Sequence, residues 1–586
     1  MTTPPFFLEA PQRLRALVRA REAYLVALAA LIGVIGGLSV AAMGAAVSFL
    51  HALFFAIPFG ERLSSQLVLN PWRALLVPAL GGLLLGLSFL LVQRWRPGRE
   101  VDPIEANALH GGRMSFRGSL IVSLQTVWSS GVGASVGLEA GYTQLASGLA
   151  SSVGRGFRLR RSDQRLMVGC GAAAAIAGAF GAPLAGAFYA FELVIGAYTP
   201  ASLAAVGMAS LIGYSTAHAL LPLTPVIDAG EYGSVGWQDM TMAAVLGVLA
   251  ALYGIGVMRS VATCESVFAR IRAWPPLRLL VGGLIVGLLA LVTPHVMASG
   301  HGAIHLAGVS DMTITAIATL FVLKTIASIA SIGSGFRGGL FFASLLIGAL
   351  GGHLFGSAAQ ALWPSGNLDP TVFSIIGMGA LSASIIGGPM TMAFLALETT
   401  GDLWVMTAVL IAIIISTQLT REVFGYSFST WRFHLRGETI RSAADVGWIR
   451  DLTVARMMRP DVSTAAADQT VADFRARFPL GSKTQVVAVD AEGRYIGIVF
   501  VADTHAAESD PDARLRDMIR YRDITLLPAM NIQDAVAAFD RAEAESLAVV
   551  DAPDSRRVVG ILTEAHALRR YAEESEKHRR EAIGDV

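Results

Sequence analysis

The sequence predicts an all-α polytopic membrane protein with an inverted internal repeat and broken helices, followed by a C-terminal α/β domain. Three observations lead there. Long apolar runs fill most of the chain, an ungapped duplication lies inside them, and charge returns sharply near Arg436. Of 586 residues, 54% are hydrophobic and 15% charged, against about a quarter charged in ordinary soluble domains.

The apolar runs cover residues 24–55, 74–92, 120–136, 242–257, 279–292, 314–332, 338–362 and 405–419. Most approach the roughly 18–20 residues that cross a bilayer, and the shorter ones suit broken or tilted spans. The first is too long for a signal peptide and lacks a small-x-small cleavage site, so it reads as a permanent span. Arg13, Arg15, Arg19 and Arg21 precede it. Further basic clusters are Arg94, Arg96 and Arg99, then Arg155, Arg158, Arg160, Arg161 and Arg165, then Arg259, Arg270, Arg272 and Arg278. The positive-inside tendency assigns most of these loops to the cytoplasmic side of a cell membrane, and both termini are expected there. Because the clusters flank apolar spans, they are not read as a nucleic-acid surface. Cys170 and Cys264 fall in or beside membrane segments, so no disulfide is expected.

The organisation follows. Residues 1–22 form a cytoplasmic segment, 23–437 the membrane domain with repeats near 73–222 and 277–423, and 438–450 a linker. Residues 451–573 form a soluble pair of units, and 574–586 a charged tail. In the soluble part a helix over 470–478 precedes strands 484–489 and 495–500; a helix over 532–540 precedes strands 546–550 and 558–562. One order of elements used twice marks a duplicated unit.

The membrane repeat appears when residues 171–192 are laid over 377–398. Gly171 meets Gly377, Gly181 meets Gly387, Pro183 meets Pro389, Phe188 meets Phe394 and Glu192 meets Glu398, with nine identities in 22 positions. Duplicated membrane halves point to a transport fold with substrate held between them. Similar small-residue packing helices would not by themselves share the Gly-x-Pro, the Ala-Phe pair and the terminal acid.

Segments 131–148 (GVGASVGLEAGYTQLASG), 333–352 (GSGFRGGLFFASLLIGALGG) and 98–109 (GREVDPIEANAL) carry the glycine and proline breaks that put helix N-termini at mid-depth. Such N-termini offer backbone N–H groups and the positive end of the helix dipole, suited to a small anion that must also leave. Glu139 is an ionisable group in an Ala/Gly membrane stretch, and defaults to a functional role. At a helix start its carboxylate would occupy the anion's place, and protonation would release it. Glu192 and Glu398 sit at equivalent repeat ends and read as structural hydrogen-bonding acids.

At these residues the sequence resembles the CLC family of chloride channels and chloride/proton antiporters. The resemblance spans roughly residues 20–437, and the tail is similar to the paired CBS domains of many members. It rests on MGALSASIIGGPMTMAFLALETTGD (378–402), GAFGAPLAGAFYAFEL (178–193), GLEAGYTQ (137–144, similar to GxEGPxxQ) and GLFFA (339–343, similar to GxFxP). It implies a gate at Glu139, anion contacts at Gly137, Leu138, Ala140, Leu340 and Phe341, chloride and other small anions as permeant ions, and a homodimer with one pore per subunit. The family's chloride serine falls on Glu100 within REVDP, its central tyrosine on Ser429 with Tyr426 and Phe428 near, and its motif prolines on Gly141 and Ala343. The antiporters' inner glutamate falls on Leu193, which cannot relay a proton and favours a passive channel.

CBS resemblance implies an adenine nucleotide as candidate ligand, with Asp503 in GIVFVAD and Thr563 in GILTEAH; the alternative is a dimerising module without ligand. No cofactor is otherwise expected, nor a metal. No H-E-x-x-H helix or Ser/His pair lies in the spans, so an intramembrane protease, and an enzyme generally, is not expected. A divalent-cation carrier would want more pore carboxylates than Glu139, Glu192 and Glu398.

Overall fold

The computed structural model describes residues 10–95, 100–220, 232–270, 274–300, 312–425, 427–428, 430–431, 452–506 and 509–583. Two units emerge, Met1–Asp445 and Val446–Val586.

The described residues of the first unit form helices and the turns that connect them. In chain order it holds α1 (Gln12–Ala20), α2 (Glu22–Phe55), α3 (Pro71–Trp95), α4 (Pro103–Leu109), α5 (Phe116–Gly131), α6 (Glu139–Gly156), α7 (Arg161–Phe180) and α8 (Pro183–Tyr189). A π turn (Ala190–Ile195) continues α8, and α9 (Pro200–Leu220), α10 (Trp237–Arg270), α11 (Pro275–Ala290) and α12 (Ile314–Ser334) follow. Then come α13 (Phe341–Leu362), α14 (Pro370–Ile386), α15 (Pro389–Thr400) and α16 (Leu403–Val423). Among the described residues, 7 helices are long and apolar enough to cross a membrane. The 34-residue α2 is about 51 Å long at 1.5 Å per residue, more than a bilayer core of about 30 Å requires.

Sequence explains why α7 and α14 occupy the middle. Their Ala and Gly side chains are buried nearly end to end, because small residues let helix backbones approach closely. A Cβ on Gly171 would stand 2.7 Å from the Ala146 carbonyl oxygen, and one on Gly348 2.5 Å from that of Gly377. Each of these helices ends at a glycine in the left-handed region, Gly181 (φ 67°) and Gly387 (φ 88°). Each next helix opens with proline, Pro183 in α8 and Pro389 in α15. The Gly-x-Pro of the duplication is thus a C-cap followed by an N1 proline.

The terminal acids of the repeat tie the halves together. Glu192 accepts from the N–H groups of Met390 (2.8 Å) and Thr391 (2.9 Å) and from the Thr391 hydroxyl (2.7 Å). Glu398 accepts from the N–H groups of Leu184 (2.7 Å) and Ala185 (2.9 Å). Each acid caps the first turn of the opposite repeat's helix, where four N–H groups lack intrahelical partners.

The second unit holds α17 (Val454–Met457), β1 (Thr464–Ala466), α18 (Val471–Arg477), β2 (Gln485–Val489), β3 (Tyr495–Phe500) and α19 (Val501–Thr504). After these come α20 (Ile532–Ala542), β4 (Ser546–Val550), β5 (Val558–Thr563) and α21 (Glu564–Ile583). Strand β2 pairs parallel with β1 and antiparallel with β3, while β4 pairs antiparallel with β5. Helix, strand and antiparallel strand recur, as the sequence predicts.

Candidate functional site

Two helix breaks meet inside the first unit. Gly137 N–H donates to the Gly339 carbonyl (3.0 Å) and Gly339 N–H to the Gly137 carbonyl (3.2 Å), a single antiparallel bridge between the segments that lead into α6 and α13. Serines lock the same region: Ser135 N–H donates to Ser331 Oγ (3.0 Å), and Arg337 N–H to Ser129 Oγ (3.1 Å). Leu138 and Leu340 occupy the N-cap positions and give no side-chain cap. The first intrahelical bonds come from Tyr142 to Leu138 (2.9 Å) and from Ser344 to Leu340 (2.7 Å). Amides from Leu138 to Gly141 and from Leu340 to Ala343 are therefore the donors that each helix leaves over.

Glu139 is the first residue of α6 and 4% exposed. Its carboxylate takes hydrogen bonds from its own amide and from that of Phe342 across the break, while Oε2 has no partner among the described residues. A Cβ on Gly339 would touch that oxygen at 3.4 Å, so glycine leaves the room the carboxylate uses. Beside it opens a cavity of about 390 Å³, with Glu139, Ala140, Leu340 and Phe341 in its wall. Gly137 stays in the bridge, and Leu138 is buried in the N-cap position.

The other sequence-predicted residues are distributed as follows. Ser429 and Tyr426 lie outside the described residues; Phe428 lines the cavity. Glu100 and Asp102 line it too, and Asp102 caps α4 by accepting from Glu105 N–H (2.9 Å). The cap gives the Asp-Pro start of α4 an acceptor of its own. Gly141 sits where a Cβ would stand 2.9 Å from that of Thr126, so the close approach of α5 leaves no space for a ring. Leu193 is buried and absent from the cavity wall.

Sequence reasoning did not single out several polar residues here. Glu265, Arg337, Gln144 and Tyr189 line the cavity. Lys324 is fully buried in α12, its ammonium donating to the carbonyls of Val296 (3.1 Å) and Ala298 (2.9 Å) and acting on Glu139 electrostatically. A lysine inside the apolar run 314–332 was the available signal, since an intramembrane charge marks function by default.

In the second unit a cavity of about 690 Å³ has Arg459, Asp461, Lys483, Thr484, Thr563 and His566 in its wall. Asp503 is not among its lining residues and pairs with Arg520 at 2.7 Å. The two residues read from the CBS resemblance are thus not brought together.

Broken helices that meet start to start around a buried carboxylate, in a chain of many apolar spans, define a multi-pass membrane transport protein. Residues 81–421 match the family model described as voltage gated chloride channel, and residues 515–573 match the CBS domain. The voltage-gated ClC-type chloride channel ClcB of Escherichia coli is 31% identical over 400 residues, covering 68% of this chain and 95% of that protein. ClcB of Salmonella typhimurium is 32% identical over 408 residues, with the same coverage. The chain belongs to the voltage gated chloride channel (CLC) family and carries a C-terminal CBS domain. Its fold is similar to that of a slow cyanobacterial Cl−/H+ antiporter (TM-score 0.63, 22% identity, 70% of this chain and 97% of the other). It is also similar to a eukaryotic CLC transporter (TM-score 0.58, 18% identity, 94% and 98%).

Proposed function

We propose that this chain is a passive chloride pathway of the cell membrane, gated by Glu139, with both termini cytoplasmic and a homodimer holding one pathway per subunit. The observation that carries the reading is the Glu139 carboxylate, buried against two uncapped helix starts that a small anion would otherwise occupy. Amides of Ala140, Leu340 and Phe341 would hold the ion without a full opposing charge, so it can leave. The charged carboxylate occupies the same pair of helix starts, taking the amides of Glu139 and Phe342. Once protonated it loses its attraction to the helix dipoles, and chloride replaces it.

The test is chloride efflux from phosphatidylethanolamine/phosphatidylglycerol vesicles containing the full chain. Efflux should rise as external pH falls, and Glu139→Gln should flatten that dependence near the fast, acidic rate. Absence of chloride efflux from vesicles holding folded protein would sink the reading.

One observation favours a second reading, chloride/proton antiport. Glu100, Asp102 and Glu265 share the cavity with Glu139 and could accept a proton from it. ClcB relatives are named channels and the cyanobacterial structural neighbour an antiporter. A chloride gradient that drives proton uptake into the vesicles would select antiport; chloride movement without protons would select the channel.

The cavity of the C-terminal unit supports an adenine nucleotide as regulatory ligand. Arg459 and Lys483 offer positive charge to phosphates, and Asp461 and Thr563 offer partners for a ribose. Calorimetric titration of the full chain with ATP and AMP tests it, and no heat above buffer with either would leave the module without that ligand.

A further inference from the structure

A dehydrated anion in the 390 Å³ cavity needs donors beyond the two helix starts, because free amides end with the first helical turn. The hydroxyl side chains in the cavity wall are Thr126, Thr143 and Tyr189. Thr126 donates to the Val122 carbonyl (2.9 Å), and Thr143 to that of Glu139 (2.9 Å). Their single protons are spent on their own helices. Tyr189, the third, lies close to Thr143 and, with both threonine protons committed, carries the hydroxyl proton that an anion in this cavity can draw on.

Local geometry aims the tyrosine. Its ring lies against Phe341, which opens α13, with centroids 6.1 Å apart and planes at 53°. The helix passes from α to π directly after it, at Ala190–Ile195, whereas its repeat counterpart Leu395 sits in the uninterrupted α-helix Pro389–Thr400. Such π turns re-aim side chains and gather at functional positions. Tyr189 also lies within electrostatic reach of both Asp102 and Glu139. A neutral donor there would ease an anion past two carboxylates without trapping it, as a cation would.

We propose that Tyr189 is an anion ligand and selectivity-determining residue of this pathway, donating its O–H to a partly dehydrated chloride. The inference rests on the chloride reading above. A compact anion gains more from an O–H donor than a large, diffuse one that sheds water easily, so the hydroxyl favours chloride over thiocyanate.

The test uses the full chain as wild type, Tyr189→Phe, Thr143→Val and Glu139→Gln, with chloride titrated calorimetrically in detergent and chloride and thiocyanate efflux read in vesicles. Tyr189→Phe should weaken chloride binding about ten-fold, the loss expected for one hydrogen bond to a charged group, and raise the thiocyanate-to-chloride rate ratio. Thr143→Val removes a hydroxyl whose proton is already committed to a carbonyl and should leave chloride bound about as tightly. Unchanged affinity and ratio in Tyr189→Phe would overturn the inference. So would an equal loss in Thr143→Val, which would make the effect one of packing in the cavity wall. If wild type passes chloride and Glu139→Gln alters its pH response while Tyr189→Phe changes nothing, Tyr189 alone is refuted. If wild type neither binds nor passes chloride, both readings fall.

Discussion

A buried carboxylate with one oxygen unpartnered is an expensive group to keep, and Glu139 is such a group among the described residues. Its cost is offset by the amides it faces, and neighbouring amides of the same two helix starts would serve a chloride. Competition between two anions for one pair of helix starts makes a gate sensitive to pH and to chloride together. Raising external chloride should therefore shift the pH of half-maximal efflux upward in wild type and have no such effect in Glu139→Gln, as read by flux titrations at two chloride concentrations. Residue identity at this position was legible in the sequence, because an acid amid Ala and Gly in a membrane stretch stands out. Tyr189 and Glu265 were not legible. A tyrosine in an aromatic-rich helix and an acid near a helix end look ordinary until the fold brings α8 and α10 to the same cavity.

Between elements, the reciprocal caps carry the most testable energetics. Glu398→Ala would leave the Leu184 and Ala185 amides without their acceptor, a loss of about 1–3 kcal/mol, measured as a lower unfolding temperature in detergent. Glu398→Gln retains an acceptor oxygen and should lose less. Gly348→Val should be worse, since its side chain would meet the Gly377 carbonyl at a crossing with no slack; overpacking of this kind costs about 1–3 kcal/mol or more. The duplication was readable because Gly-x-Pro has a mechanical meaning, a left-handed C-cap followed by an N1 proline. What the acids bond to was not readable, because Glu192 and Thr391 meet only through long-range packing. The same limit applies at α4. The Asp-Pro-x-Glu pattern signals a cap, yet nothing local reveals that Asp102 also borders the cavity.

For the whole molecule, composition alone separated a membrane part from a soluble part, and each folds with its own core. A homodimer would be read directly as the particle mass in detergent by light scattering. In the soluble unit, burial together with Arg569, Arg459 and Arg570 holds His566 below the usual histidine range. It is thus neutral near pH 7 and becomes cationic only in more acidic solution, so an anionic nucleotide in the adjoining cavity should bind more tightly in acidic than in alkaline buffer. Equal calorimetric affinities across that range would remove His566 from the site. The crossed acids also bear on biosynthesis. A ribosome that has delivered α8 to the insertion machinery has not yet made Glu398, so the amides of Leu184 and Ala185 wait for an acceptor more than two hundred residues downstream. Until the second half arrives, the nascent first half needs shelter from hydrocarbon, and a prematurely terminated chain presents an unsealed helix end to quality-control proteases.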